Sequence, residues 1–170
     1  MLTVATDLTE HAWLDYILEE FGRINKAAFP IRVVQAGRDE GIGGLVLHYR
    51  RDPAPSPCLA NRSGGKVPGG GLVRMDGGLF AWEGALARGQ GFDRPYDPLW
   101  TAFVFLSRLE EHQAEEAGAG IRSLRARHPR ADKTTFLVPV VNLIFDDLEA
   151  LLRQHFPSLE FGGPDPAVVE

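Results

Sequence analysis

The stretch from Asp97 to Gln113, DPLWTAFVFLSRLEEHQ, constrains this chain more than any other. Asp97 is a residue type that caps helix amino termini, and Pro98 stands where a helix tolerates proline, in its first turn. Apolar residues follow at Leu99, Ala102, Phe103, Leu106 and Leu109, the spacing of one buried helix face. Trp100, Val104 and Phe105 add apolar surface on the flanks, so the helix is expected to be covered on more than one side. After Arg108 the chemistry changes abruptly to Glu110, Glu111, His112, Glu115 and Glu116. The rest of the chain is expected to pack around this helix.

At 170 residues the chain is long enough to bury a core without disulfide or metal staples. Its lone cysteine, Cys58, has no partner for an internal disulfide, which fits a reducing compartment. Asp7, Glu10 and Asp15 occupy the region where a secretory leader would be basic and then apolar. No apolar run has the length needed to cross a bilayer, so no membrane role is expected and the cytoplasm is the default location. The net charge of −5 argues against a general nucleic-acid binder, which wants a basic face for phosphates.

Read in order, Leu2 to Thr6 is a strand, and Asp7 or Thr9 can cap the helix that follows, with Glu10 placed as in a capping box. Trp13, Leu14, Ile17, Leu18 and Phe21 form that helix's apolar stripe, and Gly22 is its candidate terminator. IRVVQAG after Pro30 reads as a strand, Asp39 to Gly44 as a turn, and Leu45 to Tyr49 as another strand. Asp52 to Gly71 is crowded with proline, glycine and serine and reads as a long surface loop. Leu72 to Met75 and Leu79 to Trp82, linked by Asp76, Gly77 and Gly78, form a hairpin candidate. Ala117 to Lys133 is basic and without period, and Pro139 opens a last helix with Val140, Ile144, Leu148, Leu151 and Leu152 inside. The pattern predicts a small α/β fold: a single domain over residues 1–161, with a mixed sheet flanked by helices. Residues 162–170 read as a tail or linker and hint at a domain boundary.

The near-motifs are weak. Gly41-Ile42-Gly43-Gly44 lacks the last glycine of a dinucleotide fingerprint, and a strand rather than a helix follows it. Gly65-Lys66 imitates the end of a phosphate loop, but Val67 replaces the hydroxyl residue that would hold magnesium. Glu110, Glu111 and His112 supply only one of the two histidines of a zinc-protease helix. Asp146 and Asp147 are adjacent on a helix and diverge, with Asp147 toward the apolar stripe and Asp146 toward water. No metal or other cofactor is expected from these residues. His48, at the end of a strand and followed by Tyr49, is the histidine best placed for chemistry.

Three segments carry a resemblance. Phe103 to His112, FVFLSRLEEH, is similar to an aromatic-Leu-Leu-Ser-Arg-Tyr-Glu-Glu-Tyr helix; Leu45 to Arg51 resembles a strand ending in tyrosine; and Pro139 to Leu152 resembles a closing helix that begins with proline. Together, and in this order, they resemble the uncharacterised amino-terminal domain that precedes a polysaccharide-deacetylase-like domain in many bacterial proteins. Leu109 and His112 replace tyrosines of that pattern, and the link Ala117 to Arg130 is more basic than in the family. The deacetylase chemistry itself needs an aspartate and two metal-binding histidines. Nothing after Phe161 supplies them, and His128 and His155 stand alone.

The resemblance implies an accessory domain with no deacetylase activity of its own, which positions a catalytic domain, in the same or another chain, or its carbohydrate. Its contact candidates are His48 and Tyr49 at the strand end and Arg108, Glu110 and Glu111 at the helix end. The alternative is a small free-standing enzyme or ligand-binding domain under the Asp52 to Gly71 loop. There His48 would act as acid or base with Glu83 or Asp76 as its carboxylate. Nucleic-acid binding through Arg122 to Arg130 is weaker, since no aromatics are interleaved there for stacking.

Overall fold

A computed structural model describes residues 1–37, 44–118 and 138–162, apart from the side chains of Glu110 and Ala114. The turn expected at Asp39 to Gly44, the basic link Arg122 to Lys133 and the tail beyond Gly162 thus fall wholly or largely outside the described residues. The chain opens with β1 (Leu2–Thr6), α1 (Ala12–Ile24), β2 (Ile31–Gln35) and β3 (Leu45–Arg50). Then come β4 (Cys58–Ala60), β5 (Leu72–Arg74), β6 (Phe80–Trp82), α2 (Pro98–Ser107), α3 (Leu109–Glu116) and α4 (Val140–His155). Strands β2-β1-β3-β4 form one sheet in that order, with every pair parallel. The expected small α/β fold, a sheet flanked by helices, is what the chain forms. Parallel and antiparallel pairing are divided between two sheets rather than mixed in one, because β5 and β6 pair only with each other. Their hairpin turns at Asp76–Gly78, where Gly77 and Gly78 take φ of 74° and 79°, a region open to glycine.

The stretch from Asp52 to Gly71 is not one loop. It contains β4, whose three residues are all buried and pair with His48, Tyr49 and Arg50. A strand this short, enclosed by proline and glycine, has no periodicity to reveal it; its ladder with β3 decides its conformation.

Side chains alternate across a sheet, so Leu2, Val4, Leu47, Tyr49 and Leu59 share one face, and all belong to the main apolar cluster. Leu14, Ile17, Leu18 and Phe21 of α1 join them there, as do Leu99 and Ala102 of α2 and Ile144, Phe145, Leu148, Leu151 and Leu152 of α4. The helices therefore stack on that face. Phe21 and Phe145 meet edge to face at 5.6 Å, locking α1 to α4. The opposite face carries Thr3, Ala5, Arg32, His48, Arg50, Cys58 and Ala60, none of which enters the cluster.

Two expectations about α1 are corrected. Its N-cap is His11, which makes no side-chain capping bond, and neither Asp7 nor Thr9 caps it. Asp7 is held away by bonds to Arg51 and Asn61. Gly22 lies inside the helix, which runs on to Ile24, because the stripe through Phe21 still has a core to pack against.

Helix α2 starts as expected. Asp97 is its N-cap, Oδ1 accepts from the Trp100 N–H at 2.9 Å, and Pro98 occupies the first turn. Leu99, Trp100, Ala102, Val104 and Phe105 are all buried, covering the helix nearly all round. The single helix expected through Gln113 breaks at Arg108, which takes left-handed φ and ψ of 54° and 34° and ends α2 before α3 begins. Beyond Arg108 the acidic sequence offers no buried stripe to hold a straight continuation.

Candidate functional site

In parallel α/β sheets the carboxyl ends of the strands, where the strand order reverses, are the usual place for a site. Here β1 sends its crossover to β2 on one side and pairs with β3 on the other, so that edge is formed by the exits of β1, β3 and β4. Two carboxylates organise it. Asp97 is fully buried, and its Oδ2 accepts from the Tyr49 hydroxyl and the Arg62 N–H, both at 2.7 Å. Burial pushes its carboxyl up to about 6, against the opposing pull of these donors and of Trp100 N–H. Burial, with Asp97 beside it, also holds the Tyr49 phenol well above its ordinary value. Asp7 binds the Arg51 N–H and the Asn61 side-chain amide, each at 2.8 Å. Asn61 Oδ1 in turn accepts from the Ser63 hydroxyl at 2.6 Å. Internal bonds tie these side chains to one another: Tyr49 is enclosed, and its hydroxyl is directed at Asp97 rather than outward.

The second polar locus is the elbow between α2 and α3. Ser107, Arg108, Glu111, His112 and Glu115 line an open groove of about 360 Å³. Arg108 and Glu111 are ion-paired across one turn, with the Arg108 side chain 66% exposed and Glu111 held at 18%. His112 Nε2 lies 3.5 Å from Glu116 Oε1. Read on one continuous helix, Glu110 and Glu111 would oppose the dipole at its carboxyl end; after the break they stand in the first turn of α3, where negative charge is favourable.

The structure thus brings Arg108 and Glu111 together and separates them from the strand-end pair. The Glu110 side chain lies outside the described residues. His48 sits in the sheet between Ala5 and Cys58, on the face away from the main cluster, and the elbow groove is not lined by it. Asp76 and Glu83, its proposed partners, are exposed in the turns flanking β6. Cys58 is buried and its thiol is raised by that burial, which lowers its nucleophilicity near neutral pH. Asp147 receives the Arg94 guanidinium at 2.8 Å and the Tyr96 hydroxyl at 3.0 Å, and Asp146 is exposed. Among the described residues no three His, Cys, Asp or Glu side chains gather as a metal site.

Asp7 stands in the sequence only as a candidate cap and Asn61 carries no signal there, while Asp97 shows only its capping half. An aspartate before a helix announces a cap; its second oxygen is assigned by Tyr49 and Arg62, distant in sequence.

Fold and site together define a small α/β domain with an internally hydrogen-bonded strand-exit edge and an open charged elbow. Comparison with protein-family models, curated proteins and solved structures finds no match to this chain. No helix of the described residues is long and apolar enough to cross a membrane.

Proposed function

We propose that this chain is a non-catalytic accessory domain of a polysaccharide-deacetylase-like protein and that the α2–α3 elbow is its contact with the catalytic domain. The observation that carries this reading is the elbow itself: a groove lined by Arg108, Glu111, His112 and Glu115 at the end of an otherwise enclosed helix. These side chains sit beyond the core, so their chemistry is available to a partner. The FVFLSRLEEH resemblance adds its support, since it covers the same residues. Charged groups at a rim steer and orient a partner more than they hold it. Among the described residues no Trp, Tyr or Phe lines the groove to stack on a sugar, which favours a protein surface over carbohydrate.

The test mixes the isotope-labelled chain with a deacetylase-like catalytic domain encoded beside or downstream of it and follows amide resonances. Shifts confined to Ser107 through Glu115, with affinity reduced about tenfold by Arg108→Ala or Glu111→Ala, are expected. Shifts elsewhere, or none, would reject the reading. Shifts at the elbow with chito-oligosaccharide alone would replace the partner domain by carbohydrate.

A further inference from the structure

Strands β2 and β4 are the two edges of the parallel sheet. Asp93 bonds the outward N–H and C=O of Cys58 on β4, while among the described residues no strand pairs with the outer side of β2. Leu2 N–H donates to Pro30 C=O and Ala36 N–H to Thr6 C=O, which fixes the phase of the β1–β2 ladder. In a parallel pair that phase turns Arg32 and Val34 toward β1 and points the N–H and C=O of Ile31, Val33 and Gln35 outward. An open edge of this kind is a template for another strand, and natural sheets usually guard it with Lys, Pro or a bulge. IRVVQ has none of these guards between Ile31 and Gln35. Arg32, its one charge, bonds instead to Thr3 Oγ1 at 3.2 Å on the other face.

The same residues that offer backbone outward also line a cleft. Ile31 and Val33, with Leu18 and Gly22 of α1 and Phe29, enclose about 440 Å³. Gly22 leaves the helix wall low there: a Cβ built on it would meet nothing closer than 3.9 Å. Asp15 and Glu19 stand on the rim, both exposed. Asp15 is shared with His11 at 2.7 Å, and Glu19 has no ionic partner among the described residues.

We infer that this edge and cleft form a strand-addition site for an extended segment of a partner protein, with alternating apolar residues and a Lys or Arg. Outward backbone groups in phase dictate an extended ligand, which pairs N–H to C=O along Ile31, Val33 and Gln35. Alternate side chains of that ligand enter the cleft between α1 and β2. Its basic residue answers Asp15 and Glu19. A second copy of this chain fits poorly, because antiparallel pairing of β2 with itself sets the two acidic rims against each other across the seam. The inference is independent of the elbow contact, which lies on other elements.

The probe is a random linear-peptide display library panned against the whole chain. Enriched peptides should alternate apolar residues, carry Lys or Arg, and shift the amides of Ile31, Val33 and Gln35. Gly22→Leu fills the cleft while improving helix propensity, so it should raise Tm yet weaken the selected peptide at least about tenfold. Glu19→Lys should weaken it severalfold, and methylation of alternate peptide amides should abolish binding. No enrichment, binding indifferent to Gly22→Leu and amide methylation, or acidic selected peptides would each overturn the inference. So would a dimer in sedimentation that Glu19→Lys strengthens, since the edge would then belong to a second copy.

Discussion

The hydroxyl of Tyr49, near the end of β3, donates a 2.7 Å hydrogen bond to Asp97 Oδ2, the carboxylate that opens α2. One contact therefore joins the sheet to the helix that most of the core surrounds. Tyr49→Phe keeps the ring and removes the donor, leaving the Arg62 and Trp100 amides as partners of Asp97. The expected loss is about 1–2 kcal/mol, several degrees in Tm, by thermal or urea unfolding. An unchanged midpoint would show that the bond contributes nothing net.

Asp97 also makes stability depend on pH. Its carboxyl rises from the ordinary 3.8 to about 6 on folding. Between those values the folded state holds more proton than the unfolded chain, so unfolding free energy falls as pH rises through the window. The penalty is absent below the lower value and complete above the upper one, on the order of 3 kcal/mol at most. Asp97→Asn removes this component. Unfolding curves measured across the window should therefore have a less negative pH slope for the variant than for the parent; parallel profiles would count against a raised Asp97.

Arg108 holds a left-handed backbone, φ 54°, which L side chains adopt at a cost of about 1 kcal/mol. Arg108→Gly should raise Tm slightly or leave it unchanged, although it removes the ion pair with Glu111. Arg108→Val, with a β-branched side chain at the same φ, should lower it. If both lower it equally, the ion pair rather than the backbone governs the elbow.

Gly84 is fixed by close approach rather than by torsion. A Cβ there would come within 2.7 Å of the Gly69 nitrogen and 2.8 Å of its carbonyl oxygen, where Gly84 N–H already donates to that oxygen. Gly84→Ala should force the 69–70 strand of loop away from the turn after β6 and cost about 1–3 kcal/mol by urea unfolding. A cost near zero would mean that this loop yields freely.

The elements with periodicity were legible. The stripes of α1 and α4 and the N-terminal cap of α2 stood in the sequence because each is a local pattern matched to one buried face. What was not legible depends on distant partners. The β4 strand needs β3, the roles of Asp7 and Asn61 need each other, and the break at Arg108 needs the core to stop where α2 ends. The Glu111 pairing with Arg108 was half visible, since the two are three residues apart and charge-opposed. Their placement in a new helix's first turn was not.

The elbow at Arg108 also divides the chain into territories with different tolerance for change. Leu99 to Phe105 is gripped by neighbours on nearly every side, whereas His112 and Glu115 are exposed on a helix tied back by Leu109, packed beside Trp100 and Val104, and by Gln113 Oε1, which accepts from the Val67 N–H. Replacements at the exposed positions His112 and Glu115 therefore pass almost unnoticed by the interior. The chain behaves as a fixed shaft with an exchangeable tip, and descendants of this sequence can retune the tip without relearning how to fold.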